Sequence, residues 1–164
     1  LISKQKQNRK RKIIKDKAES LKAKGFENIV LAGHSSGGWQ SIKLKAEFSD
    51  LIYGVIGLHP GAGGTVKNRK DWPWWTEVRY YGLVKDLSKL NALIITHDKD
   101  QFNSPSDYSI FSNLNSVKFQ NLSDIGCKKK KILGGYHGIA LTNCYADYED
   151  TSKNINNYLK EIFK

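Results

Sequence analysis

Residues Phe26 to Trp39 read FENIVLAGHSSGGW, and this stretch organises the interpretation of the whole chain. A short apolar run, IVLA, leads directly into GHSSG and then into an amphipathic segment. The pattern predicts a strand, a sharp turn and a helix, with Ser35 at the tip of the turn. Gly33 and Gly37, two residues to either side, let the backbone turn tightly without side-chain clashes. We therefore expect a serine hydroxyl that is held rigidly and exposed.

Such a turn suits nucleophilic catalysis. A serine hydroxyl is a weak nucleophile at neutral pH, so it must be held beside a base. The N–H of Ser36, at the start of the expected helix, is the expected donor to an oxyanion. On the motif alone an alternative stays open, in which Ser35 lies on an ordinary strand-to-helix turn without a catalytic role.

The remainder of the chain predicts an α/β fold. The first strand and further apolar runs lack polar alternation, which indicates strands that are buried on both faces, as in parallel sheets. Amphipathic segments between them indicate helices. We expect one domain over residues 1–164, with a mostly parallel sheet covered by helices on both faces. The predicted strands are Asn28–Ala32, Tyr53–Leu58, Ala92–Thr96 and Val117–Leu122. The predicted helices are Ser3–Lys24, one following Ser35, Thr76–Leu90, one following Ser104 and one from about Ser152, which is expected to bury Ile155, Leu159 and Ile162.

Polar side chains follow these predicted strands, at the edge where parallel sheets form their ligand sites. A serine nucleophile needs a base, and the base needs an acid that fixes its tautomer. His137, on a glycine-flanked loop, is the candidate base. Asp100 and Asp98, which follow the third strand, are the candidate acids. The order along the chain is therefore serine, aspartate, histidine.

Three motifs carry a resemblance to a known family: IVLAGHSSGG, LIITHDKDQFNSP and GGYHGI. With them the chain resembles the C-terminal two-thirds of an α/β-hydrolase of the esterase or dienelactone-hydrolase-like kind. The resemblance implies a serine hydrolase that cleaves an ester, or else an amide or lactone, of a small molecule through an acyl-enzyme, without a cofactor. It assigns Ser35 as nucleophile, His137 as general base and Asp100 as acid, with Asp98 as the second choice.

The resemblance also implies a second oxyanion donor on a loop before the nucleophile strand. Residues 1–24 contain no such loop, and the 164 residues contain no methionine. We therefore expect the chain to be a fragment or a processed product that lacks the N-terminal strands of the hydrolase fold. The alternative is a non-catalytic, hydrolase-like binding domain.

Several side chains are candidates for a substrate pocket. The aromatic run DWPWW either walls such a pocket or anchors its own loop. A metal site built from strand-end histidines and aspartates is an alternative, but their spacing lacks the ligand pairs of helical or hairpin metal sites, so we expect none. The candidate pocket residues are His34, His59, Trp72, Trp74 and Trp75; those of the metal alternative are His59, His97, Asp98 and Asp100.

The formal net charge of +11 is concentrated in residues 1–24 and in a lysine run at 128–131. Such charge attracts anionic partners, but no aromatic residues interleave with it, so we expect a solvated surface and no nucleic-acid partner. No apolar run is long enough to cross a membrane. A disulfide between Cys127 and Cys144 would brace the His137 loop and indicate an oxidising compartment, such as the periplasm. Two unrelated thiols would instead fit the cytoplasm.

Overall fold

The computed structural model describes residues 2–61, 64–65, 67, 87–123, 135–146 and 149–164. Its centre is a four-stranded sheet in which every pair of neighbours is parallel, so the expected α/β class is confirmed. The strands lie in the sheet in the order of the chain. They are β1 (Val30–His34), β2 (Gly54–Leu58), β3 (Ala92–Thr96) and β4 (Val117–Asn121).

Helical segments connect the first strand to the second and the third strand to the fourth. The predicted N-terminal helix is confirmed; it ends at Ala23, and Gly25 just beyond it adopts a φ of 90° that favours glycine. There the N–H of Phe26 donates to the carbonyl of Leu21 at 3.2 Å. The α-helices are α1 (Ile2–Ala23), α2 (Ser36–Glu47), α3 (Asn143–Ala146) and α4 (Glu149–Ile162), and Pro105–Phe111 and Gly135–Leu141 form 3₁₀ helices.

Two cores lie on opposite faces of the sheet, because successive side chains of a strand point to opposite sides. Val55 of β2 belongs to the first core and Ile56 to the second. The first core also contains Trp39 of α2 and Phe111, and the second contains Tyr158 of α4. Helices therefore cover both faces of the sheet, as predicted.

Helix α4 differs in detail from its prediction. The sequence pattern pointed to Ile155, Leu159 and Ile162 as its buried side chains, and these are partly buried. Tyr158 is the most deeply buried at 3% exposure, and its hydroxyl oxygen accepts the N–H of Val55 at 3.0 Å. Gly54 makes this approach possible, because a Cβ there would lie 2.6 Å from the Tyr158 hydroxyl.

The expectation that the first strand is buried on both faces is wrong. In the described sheet β1 pairs with β2 alone and forms an edge. Its side chains are partly covered, and Ala32 is exposed. An apolar run without alternation does not distinguish an edge strand from a central one, because the neighbours that cover a strand come from elsewhere in the chain.

Some predicted features lie outside the described residues: Trp72, Trp74, Trp75, most of the predicted helix at 76–90 and the lysine run at 128–131. Cys144 is disulfide-bonded, and Cys127, the other cysteine of the sequence, also lies outside the described residues. Within the described part of the chain, no helix combines the length and the apolar character that crossing a bilayer requires.

Candidate functional site

Ser35 connects β1 to α2 in a strained backbone conformation. Its φ of 53° and ψ of −124° lie in a region that side-chain-bearing residues rarely adopt. The turn is held from two sides: the Ser35 N–H donates to the Leu58 carbonyl at 2.9 Å, and the Ser35 carbonyl accepts from Trp39 and Gly61, each at 3.0 Å. Strain of about 1–3 kcal/mol persists only when such contacts over-determine the conformation.

Close backbone packing at this turn requires glycine at two positions. A Cβ on Gly33 would lie 2.6 Å from the backbone carbon of Gly37, and a Cβ on Gly38 would lie 2.5 Å from the carbonyl oxygen of Gly33. A Cβ on Gly37 would meet no atom within 4 Å. The steric role that the sequence assigned to Gly37 therefore belongs to Gly38, which holds the start of α2 against β1.

Ser36 opens helix α2, where backbone N–H groups have no acceptor within the helix. The Ser36 N–H is thus available to a negatively charged oxygen. The Ser36 hydroxyl donates to the side-chain oxygen of Gln7 at 3.0 Å, and the side-chain amide of Gln40 donates to the same oxygen at 3.1 Å. Helix α1 therefore contacts the start of α2 directly beside Ser35, a contact that no local sequence pattern indicated.

Asp100 is the polar centre of the site. Its carboxylate is fully buried and accepts hydrogen bonds from both sides. Oδ1 accepts the backbone N–H of Phe102 at 2.8 Å and that of Asn103 at 3.3 Å. Oδ2 lies 3.0 Å from Nδ1 of His59 and 2.8 Å from Nδ1 of His137. A buried charge needs such partners, and this carboxylate has them.

These contacts keep Asp100 ionised. Burial by itself raises the pKa of the carboxyl group, but hydrogen bonds from His137, His59 and the Phe102 N–H lower the pKa by more. The net result is an Asp100 pKa far below the ordinary value for aspartate. The site therefore holds a permanent negative charge at neutral pH.

His137 contacts this charge and also the residue before Ser35. Its Nδ1 faces Asp100, and the ring of Phe102 packs against it at a centroid distance of 4.4 Å. Its carbonyl accepts the Nε2–H of His34, the residue before Ser35, at 2.7 Å. Among the described residues, no hydrogen bond joins His137 to the Ser35 hydroxyl itself. With Nδ1 engaged, Nε2 is the nitrogen that can take a proton.

Asp98 lies away from this arrangement. Its carboxylate is exposed and accepts the side-chain amide of Asn121 at 2.7 Å, and its N–H donates to the Ser123 hydroxyl at 3.1 Å. Hydrogen bonds from Ser123 and Asn121 lower the pKa of Asp98. Of the two candidate acids, the structure brings Asp100 to His137.

The chain matches no protein-family model and no curated protein. The geometry of these residues is therefore the basis for any chemistry proposed for the site.

The four histidines of the sequence lie at or after the ends of four different strands, and two of them, His59 and His137, contact Asp100. His59 lies 5.8 Å from His137 between ring centroids, and His34 lies 4.8 Å from it. Burial lowers the pKa of His34 and of His97, which favours their neutral forms. His97 accepts the N–H of Lys99 on Nδ1 at 3.0 Å, which leaves its proton on Nε2.

His59 makes a contact that the sequence did not predict. The sequence made it a candidate for the pocket wall or a metal site, and the structure shows a fully buried ring that contacts Asp100. The one sequence signal was its position directly after β2, at the carboxyl edge of the strand beside that of Ser35. The position after β2 indicates the sheet edge at which His59 lies, but it does not indicate that His59 contacts Asp100.

One nitrogen or oxygen atom from each of His59, Asp100 and His137 lies within 4.8 Å of the other two, and a divalent metal could bind atoms at this spacing. The metal alternative drawn from the sequence combined His59 and Asp100 with His97 and Asp98, which do not share this geometry. Hydrogen bonds between each Nδ1 and the carboxylate account for the present arrangement without a metal.

Proposed function

We propose that the protein is a serine hydrolase that cleaves an ester of a small molecule, with Ser35 as nucleophile, His137 as general base and Asp100 as the acid that orients it. The observation that carries this proposal is the 2.8 Å contact between His137 Nδ1 and the buried, ionised carboxylate of Asp100. The pair lies at the sheet edge where the strained Ser35 turn begins α2.

The chemistry follows from these positions. Asp100 accepts the Nδ1–H of His137 and so leaves Nε2 unprotonated. Nε2 takes the Ser35 hydroxyl proton as the serine oxygen attacks the ester carbonyl, and the Ser36 N–H donates to the resulting oxyanion. His137 then passes its proton to the leaving alcohol, and an acyl-enzyme forms. Water, deprotonated by the same nitrogen, attacks the acyl group and releases the acid and the free serine.

The topology supports an α/β-hydrolase as the fold. Consecutive strands are neighbours in the sheet, the serine follows β1, the aspartate follows β3, and the histidine follows β4 along the chain. The order serine, acid, histidine is that of the hydrolase pattern. A strained serine between strand and helix is the local conformation that this pattern requires.

A fluorophosphonate probe tests the proposal. We expect it to label the wild-type protein at Ser35, with peptide mapping to identify the site. Ser35→Ala should remove the label, whereas Ser112→Ala, which changes an exposed serine outside the site, should keep it. Labelling that persists in Ser35→Ala contradicts the assignment. Labelling lost after treatment with EDTA and restored by zinc would point to metal chemistry instead.

A non-catalytic binding domain is the second candidate function. The absence of a hydrogen bond between the Ser35 hydroxyl and His137 within the described residues favours it. In the proposed hydrolase this hydrogen bond forms when substrate binds, because catalytic hydrogen bonds are often long before that. A folded wild-type protein that no fluorophosphonate labels, and that turns over no p-nitrophenyl ester, would support the binding domain.

A further inference from the structure

Asp100 holds two imidazoles, and the proposed reaction uses one of them. His59 is fully buried, and its Nδ1 lies 3.0 Å from Oδ2, the same oxygen that His137 contacts. His59 is therefore a buried imidazole that contacts the acid of the proposed triad on the same oxygen as the base. The Phe102 and Asn103 N–H groups hold Oδ1, and His59 is the second side chain, besides His137, that holds Oδ2 among the described residues.

The backbone is distorted to place this ring. His59 has a φ of 46°, in the left-handed region that residues with side chains rarely adopt. It directly follows β2, and its N–H donates to the carbonyl of Ile95 in β3 at 2.7 Å. Two residues later, the Gly61 N–H donates to the carbonyl of Ser35. The segment after β2 thus connects the serine turn to the carboxylate, and its strain is a sign of a fixed position.

The hydrogen bonds determine which nitrogen of His59 carries the proton. Asp100 is an anion and accepts, so His59 donates through Nδ1–H. Its Nε2 is buried without a hydrogen-bond partner among the described residues. A proton there would leave a buried donor unsatisfied, which costs about 1–3 kcal/mol. The tautomer of the neutral ring that fits these contacts therefore has its proton on Nδ1.

We propose that His59 is a positioning residue of the hydrolase: its Nδ1–H holds the Asp100 carboxylate in the orientation that aligns His137 for catalysis. The proposal rests on the proposed function. It predicts that kcat depends on the δ-nitrogen of His59 and not on its ε-nitrogen. It also predicts that substrate binding is unaffected, since the fully buried ring contacts Asp100 rather than solvent.

Three variants separate these requirements. Asn places an amide nitrogen close to the position of Nδ1 and tolerates a positive φ, so His59→Asn keeps the donor. Gln carries its amide one atom further, close to the position of Nε2, so His59→Gln loses the donor to Asp100. His59→Ala removes both nitrogens. The Asn and Gln variants form the matched pair if the Ala variant fails to fold.

Kinetics with p-nitrophenyl acetate provide the first readout. We expect kcat to fall about 10- to 100-fold in His59→Gln and His59→Ala, because small misplacement of a catalytic group has effects of this size. KM should stay within about twofold, and His59→Asn should recover kcat to within about threefold of wild type. An unchanged kcat in folded His59→Gln, equal losses in Asn and Gln, or a rise confined to KM would each overturn the proposal.

Long-range ¹H–¹⁵N NMR provides a readout that does not depend on activity, since the sequence contains four imidazoles. We expect the Nδ1–H tautomer for His59 and His137 and the Nε2–H tautomer for His34 and His97. An Nε2–H tautomer at His59 would overturn the inference even in an active enzyme. An Nδ1–H tautomer at His59 in a protein that no fluorophosphonate labels would contradict the proposed function and leave the contact intact.

Discussion

His137 Nδ1 lies 2.8 Å from Oδ2 of Asp100, although the two residues are 37 positions apart in the chain. The contact joins the segment after β3 to the 3₁₀ helix at Gly135–Leu141. Because the carboxylate is buried and ionised, it orients the imidazole strongly and selects its tautomer. The relationship gives the site a defined proton acceptor, which is what the proposed serine nucleophile requires.

Asp100→Asn is expected to reduce kcat for an ester about 10³- to 10⁴-fold. The amide can donate to His137 and so favours the wrong tautomer of the imidazole. Asp98→Asn is the matched control, because Asp98 is exposed and bonds Asn121 instead. Its activity should stay within about twofold of wild type. Steady-state kinetics of the two variants test this, and a greater loss in Asp98→Asn would make Asp98 the acid.

Ser35→Gly is expected to be more stable than Ser35→Ala, by about 1 kcal/mol, while both variants are inactive. The φ and ψ of Ser35 match the first central position of a type II′ turn, which glycine adopts without strain. Alanine keeps the strain and loses the hydroxyl. Urea denaturation midpoints at equal m-values measure the difference. Equal midpoints would show that the turn is not strained in solution.

Glycine substitutions around the turn should differ sharply in stability. Gly33→Ala and Gly38→Ala each push a Cβ into backbone atoms less than 3 Å away, so we expect each to cost about 2–3 kcal/mol. Gly37→Ala meets no neighbouring atom and gains helix propensity, so it should be neutral or stabilising by up to about 1 kcal/mol. Thermal unfolding ranks the three, and a Gly37→Ala loss equal to the others would contradict the described packing.

Titration of Tyr158 is expected to lower the free energy of unfolding at high pH. Burial, opposed by the hydrogen bond from the Val55 N–H and reinforced by Glu161, raises the pKa of Tyr158 to about 12. Because the pKa of Tyr158 is higher in the folded protein than in the unfolded chain, Tyr158 contributes fully to the free energy of unfolding below about pH 10. This contribution is lost as the pH rises toward 12. The loss is of order 2 kcal/mol.

Tyr158→Phe isolates this contribution. At pH 7 we expect it to cost about 1 kcal/mol, because the hydroxyl that accepts the Val55 N–H is gone. Its free energy of unfolding should fall less steeply than that of wild type between pH 10 and 12, as measured by urea denaturation. Parallel declines in the two proteins would show that Tyr158 titrates at its ordinary pKa.

The sequence alone was sufficient to place the strands, the main helices and the serine turn. Apolar runs, amphipathic periods and Gly25 are local signals, and β3 coincides with its predicted range, Ala92–Thr96. The parallel sheet then followed, because strands that alternate with helices pair in this way. The same reasoning brought Ser35, Asp100 and His137 to one edge of the sheet as candidates.

Contacts between distant segments required the folded chain. Asp98 and Asp100 are two residues apart in one loop, and the path of that loop, not its composition, directs Asp100 to His137. His59 reaches the same carboxylate through a strained backbone that its sequence context does not signal. Gly38 rather than Gly37 makes the close contact, because it depends on how α2 packs on β1. Local sequence patterns indicate which residues are buried and which lie in turns. The contacts between residues that follow different strands are determined by how whole strands and helices pack together.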